Sequence, residues 1–118
     1  MSVPVDQIVT AIEDLLQANR ETRATLEATD VVLGHGLDAL DSGEDLVSIL
    51  ATIPVAAYRQ ATQDNSDRLN LARHRLRVLV IAACAESGMT PREIAGDWGI
   101  SRQRVDQFLQ EYRRSQDG

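Results

Sequence analysis

Thr90-Pro91-Arg92-Glu93-Ile94-Ala95-Gly96-Asp97-Trp98-Gly99-Ile100-Ser101-Arg102-Gln103-Arg104-Val105-Asp106-Gln107-Phe108-Leu109-Gln110 holds two helix starts separated by a glycine stop. Thr90 followed by Glu93 is a capping-box pair: the hydroxyl accepts from an early helical N–H, and the carboxylate reaches back to the cap residue. Pro91 falls at the first helical position, where a missing N–H costs nothing. The spacing predicts a helix over roughly 91–98. Gly99 supplies the left-handed residue that ends it, and Ser101 caps a second helix over roughly 102–114. Ile94, Ala95 and Trp98 make one apolar stripe; Val105, Phe108, Leu109 and Tyr112 make another, and Ile100 plugs the angle between them. Two helices crossing at a tight glycine turn follow.

Ala95, Gly99 and Val105 stand at relative positions 5, 9 and 15 counted from Pro91. A small residue at the first lets the helices approach, the glycine turns the chain, and the valine locks the second helix into the core. That is the spacing of a helix-turn-helix, whose second helix enters the major groove by its N-terminal turns. The segment resembles the helix-turn-helix of bacterial transcription regulators. Gly99-Ile100-Ser101-Arg102-Gln103-Arg104-Val105-Asp106-Gln107 is similar in particular to the promoter-reading helix of sigma-factor region 4, and the likeness covers about 25 of the 118 residues. It implies that Ser101, Arg102, Gln103, Asp106 and Gln107 face DNA. Asp106 stands where the sigma pattern has a basic residue. The helical wheel turns Gln103, Gln107, Gln110 and Arg114 away from the apolar stripe, so the candidate DNA-binding set is Ser101, Arg102, Gln103, Arg104, Asp106, Gln107, Gln110 and Arg114. Asp106 follows Arg102 by four residues, where an ion pair is expected to hold the guanidinium. No polymerase-binding region is recognisable in the first 87 residues, which favours a stand-alone regulator.

Upstream, Val5, Ile8, Ile12, Leu15, Asn19, Thr22, Leu26, Thr29 and Leu33 recur in steps of three and four, predicting a long helix over roughly 4–40 with a heptad-like seam and a polar middle. Gly34 and Gly36 weaken it near its end. Asp41, Ser42 and Gly43 break the chain, and Ser42 with Asp45 is expected to cap a short helix over roughly 43–52. After Pro54 the spacing returns through Tyr58, Thr62, Asn65, Leu69, Ala72, Leu76, Leu79 and Ala83, predicting a second long helix that Asp64, Asn65 and Ser66 are able to interrupt and Gly88 ends. The expected organisation is a helical dimerisation or interaction segment over 1–87, then a helix-turn-helix over 88–118 packed on the preceding helix. Two seams too long to be satisfied in so small a monomer point to a homodimer.

Composition agrees with an all-α fold. Apolar residues make up 43% of the chain and aromatics only 3%, so the core is built from Leu, Ile, Val and Ala. A chain of 118 residues is too short for a barrel or a doubly wound enzyme. The net charge of −6 is unevenly spread: residues 1–67 carry 12 acidic and 3 basic side chains, and 68–118 carry 6 and 9. Fields act within a Debye length of about 10 Å, so the positive end is free to meet DNA despite the overall sign. The acidic half is able to meet a basic protein partner, as an adaptor or antitoxin-like chain would. Arg68, Arg73, Arg75 and Arg77 serve either as phosphate contacts or as partners of that acidic half, and the second is favoured. All 12 basic residues are Arg, a mark of a GC-rich coding sequence. Cys84 is the single cysteine, which excludes an internal disulfide, and its apolar face reads as packing. His35, His74 and Cys84 match no metal-ligand spacing. No leader pattern and no apolar run near the roughly 20 residues of a membrane span occurs, so the chain reads as cytoplasmic. No nucleophile triad, phosphate loop or carboxylate pair is evident; neither enzymatic activity nor a cofactor is expected.

Overall fold

A computed structural model describes residues 3–117. The described residues form five helices: α1 Val5–Asp41, α2 Leu46–Ala51, α3 Val55–Glu86, α4 Pro91–Trp98 and α5 Arg102–Asp117. The fold is all-α, ending in a helix-turn-helix. None of these helices is long and apolar enough to cross a membrane. α3 runs unbroken through Asp64, Asn65 and Ser66, since intrinsic propensity is a weak prior once a helix face is packed. α2 is shorter than expected. Asp45 alone caps it, accepting from the Ser48 N–H at 3.2 Å, whereas the Ser42 hydroxyl donates back to the Asp38 carbonyl at 3.0 Å.

The chain divides into two compact units, one formed by residues up to Leu15 together with those from Leu71 onward, the other by Leu16–Asn70. In the second unit the middle of α1 and the first half of α3 run antiparallel. Asn65 hydrogen-bonds Thr25, and Arg68 pairs with Glu21, so position rises along one helix as it falls along the other. The Arg68 guanidinium, and then the Gln17 amide, hold the Glu21 carboxyl below its usual value.

The inward face of α1 keeps Ile8, Leu15, Asn19, Thr22 and Thr29 of the expected seam and departs from it at the other positions. Ala18 is buried, and Thr22, Thr25, Thr29 and Val32 are half-buried, while Leu26 and Leu33 are 58% and 63% exposed. In the first unit Ala11 is buried and Val5 and Ile12 are exposed in the same way. Small residues face inward because they let a neighbouring helix approach closely. Their hydroxyls do not go unsatisfied: Thr22 donates to the Ala18 carbonyl at 2.8 Å and Thr29 to the Thr25 carbonyl at 2.9 Å.

The first unit is built around Val78, Ile81, Ile94, Ala95, Val105 and Phe108. Cys84, Met89, Trp98, Ile100, Leu109 and Tyr112 pack against that cluster, half-buried. Its N-terminal end is held by Val3, which is buried and whose N–H donates to the Glu86 carboxylate at 2.5 Å. The boundary expected at 87/88 therefore falls inside this unit. The last turns of α3 and the first of α1 supply apolar surface that α4 and α5 are too short to provide alone.

Gly34 lies inside α1 with nothing within 4 Å of the position a Cβ would take. Gly34→Ala therefore removes only the glycine penalty, and urea unfolding is expected to show a gain of about 0.5–1 kcal/mol. A loss of stability would mean that α1 is not helical there.

Candidate nucleic-acid interface

α4 starts as its sequence dictates. The Glu93 N–H donates to the Thr90 hydroxyl at 3.1 Å, and the Thr90 N–H donates to the Glu93 carboxylate at 3.1 Å, with Pro91 in the first turn. Those bonds, the backbone one first, hold the Glu93 carboxyl below its usual value. α4 ends at Gly99, whose φ of 64° is left-handed; the Gly99 and Ile100 N–H groups both reach the Ala95 carbonyl. Two residues on, the Ser101 hydroxyl accepts from the Arg104 N–H at 3.0 Å and opens α5. The turn thus closes without an orphaned cap.

Val105 and Phe108 are 0% and 1% exposed, against Ile81 and Ile94 at 0% each. Burying side chains of this size contributes about 1.5–3 kcal/mol each, enough to fix the rotation of α5 about its own axis. With 100° per residue, burial of Val105 and Phe108 turns Arg102, Gln103, Asp106, Gln107, Gln110 and Arg114 to the surface, and all six are exposed. Arg102, Gln103 and Asp106 make no side-chain hydrogen bond among the described residues.

Three of the candidate residues are less free than the pattern implied. The Ser101 hydroxyl is committed to the cap. The Arg104 guanidinium lies over the Phe108 ring, 4.4 Å from its centroid, and its Nη1 donates to the Gln107 Oε1 at 3.0 Å. Gln107 therefore keeps its amide N–H groups for an external acceptor while its carbonyl is occupied. The expected Arg102–Asp106 ion pair is not formed; among the described residues Arg68 pairs with Glu21, and the His74 ring hydrogen-bonds the Glu111 carboxylate. Arg68 meets the acidic half as favoured, whereas Arg73, Arg75 and Arg77 have no ionic partner among the described residues.

Sequence reasoning missed the brace on the other side of α5. His74 Nε2 lies 2.6 Å from the Glu111 Oε2, and its ring sits 5.5 Å from that of Phe108. Phe108 is thereby flanked by the His74 imidazole and the Arg104 guanidinium. The available signal was the spacing of His74, Val78 and Ile81, which puts the histidine on the face of α3 that meets the core.

Residues 71–118 match the homeodomain-like domain family, a stretch that opens at the residue where the helix-turn-helix unit resumes. No curated protein and no solved structure matches the chain. The C-terminal part of the protein is a helix-turn-helix, and its similarity to that family supports DNA binding.

Gly99→Ala is expected to cost about 1–2 kcal/mol, because an L side chain resists the left-handed turn. Gly96→Ala, with nothing within 4 Å of its Cβ position, is expected to cost nothing. Equal losses in urea unfolding would mean that the turn does not depend on the glycine. Glu93 supplies an acid-sensitive cap. Its lowered folded value makes its contribution complete above the ordinary 4.5 and lost as pH falls through that lower value. The stability difference between the wild type and Glu93→Gln is therefore expected to shrink between pH 7 and pH 3; a constant difference would contradict it.

Proposed function

We propose that the protein is a transcriptional regulator of the bacterial cytoplasm that binds specific double-stranded DNA as a homodimer, through the major groove. The observation that carries this reading is the surface of the first turns of α5, where Arg102, Gln103 and Asp106 are exposed and unengaged opposite the buried Val105 and Phe108. A glutamine bonds bidentately to adenine, an aspartate accepts from the cytosine amino group, and an arginine reaches guanine or a phosphate. Without an ion pair to Asp106, Arg102 is available for either. The similarity of 99–107 to the promoter-reading helix of sigma-factor region 4 supports entry by these same turns.

Residues 88–118 hold five Arg and five acidic side chains, so the helix-turn-helix has little net attraction to phosphate. Affinity must then come from base contacts and from duplication. Exposed apolar residues along α1 support the homodimer, which presents two reading helices where one shallow contact is weak. The matching operator is an inverted repeat with half-sites spaced by about 10 bp or a multiple of it.

Selection of bound fragments from a random duplex pool yields the cognate site, and fluorescence anisotropy across a salt series tests the reading. Gln103→Ala is expected to weaken the cognate duplex by about 1–3 kcal/mol and leave a scrambled one unchanged. Asp106→Arg is expected to tighten the scrambled duplex and steepen its salt dependence through counterion release. Equal weakening of both duplexes by Gln103→Ala, or no effect of Asp106→Arg on scrambled DNA, would show that α5 does not read bases.

A further inference from the structure

Within the unit Leu16–Asn70, α2 doubles back along the end of α1. The buried Ile49 sets its Cγ2 4.0 Å from where a Cβ on Gly36 would stand, and Leu50 shares a groove of about 500 Å³ with Leu33. Val32, Ile53, Val55 and Tyr58 line the same groove. Leu33, Leu37 and Leu40 follow one another along α1 in steps of four and three, and Leu46 stands one turn before Leu50 on α2. These five leucines are between 46% and 63% exposed, a concentration unlike the scattered apolar residues of an ordinary surface. Between Arg23 and Arg59 the chain carries six carboxylates, Glu27, Asp30, Asp38, Asp41, Glu44 and Asp45, and neither Arg nor Lys. Asp38 follows Leu37, Asp41 follows Leu40 and Asp45 precedes Leu46; all three are exposed and have no ionic partner among the described residues. We propose that this face docks a basic amphipathic helix of another protein, with its apolar stripe on the five leucines and its Arg or Lys side chains against the carboxylates. The proposal goes beyond DNA binding and the homodimer and rests on neither.

Charge decides between the occupants an apolar face could take. A second copy docked face to face would set these carboxylates against their own equivalents, and nucleic acid or an anionic lipid surface is repelled in the same way. A cationic partner is drawn in. Single exposed ion pairs contribute little, but a rim of one sign around an apolar contact selects which partner approaches and how fast. The helical form follows from the backbone. The described residues offer no strand edge to pair with, so the partner must satisfy its own N–H and C=O groups, as an amphipathic helix in a groove does. Leu33 to Leu40 spans about 11 Å at 1.5 Å per residue, which two or three turns of a partner helix cover. Arg59 lines the groove on its α3 wall, so the partner's basic flank belongs on the opposite side, beside α1 and α2.

The probe is a displayed library of short helical peptides, random at both apolar and charged positions, selected against the full-length protein. Enriched peptides are expected to carry apolar residues at i, i+3, i+4 and i+7 with Arg or Lys on the flanks. An enriched peptide is then titrated against variants of the protein whose helical circular dichroism matches the wild type. Leu37→Gln and Leu50→Gln, both at exposed positions, are each expected to weaken it about tenfold. Asp38→Asn together with Asp41→Asn is expected to slow its association and flatten its salt dependence, a readout that a loss of packing alone would not move. Enrichment of peptides with acidic or uncharged flanks, no enrichment at all, or binding that the leucine variants leave unchanged would overturn the proposal. A fall in mass by light scattering on Leu37→Gln would show that a second copy covers the face, and would overturn it too. None of these measurements uses DNA, so their failure leaves the reading of α5 as it stands.

Discussion

Burial of Val105 and Phe108 against Ile81 and Ile94 is the contact on which the rest of the helix-turn-helix depends. α5 is exposed along most of its circumference, and its polar face has no preferred direction of its own. Placing two residues three apart into a dry core fixes its rotation, and the exposed positions of Arg102, Gln103 and Asp106 follow from that choice. The glycine turn sets where α5 begins, while the His74–Glu111 pair and the Arg104 guanidinium flank the ring that anchors it. Removing the Phe108 side chain would cost roughly 3–5 kcal/mol, and the exposed face of α5 would lose the contact that sets its direction.

The helix-turn-helix was legible because its signals are local. Thr90 and Glu93, Pro91, Gly99 and Ser101 each act within four residues of where they stand, and a cap or a left-handed turn depends little on the rest of the chain. The α1 register was not legible in the same way. Ile8, Leu15, Asn19, Thr22 and Thr29 of the expected seam do face inward, but Ala11, Ala18 and Thr25 take the places between them, because small residues let a neighbouring helix approach and no step of three and four distinguishes them from the larger residues one position on. Leu26 and Leu33, read as part of the seam, are on the surface.

Side-chain contacts that spacing rules do not carry account for the other differences. The Val3 N–H on the Glu86 carboxylate ties the start of the chain to the end of α3 across 83 positions, and no spacing rule anticipates it. Arg104 belonged to the candidate set; the ring beneath it captures its guanidinium, and Gln107 shares in that capture. The effect is to narrow the unengaged members of the candidate set at the start of α5 to Arg102, Gln103 and Asp106. Such a patch suits discrimination between sequences better than general adhesion to phosphate, because its charge nearly cancels.

The central claim is that the outward face of the first turns of α5 is where the protein meets DNA. Titrating the isotopically labelled protein with a short duplex at low salt, and following backbone amide shifts by nuclear magnetic resonance, tests it most directly. The account predicts the largest shifts at residues 101–107, with smaller ones around the start of α4. Shifts confined to Leu16–Asn70, or none at saturating duplex, would contradict it.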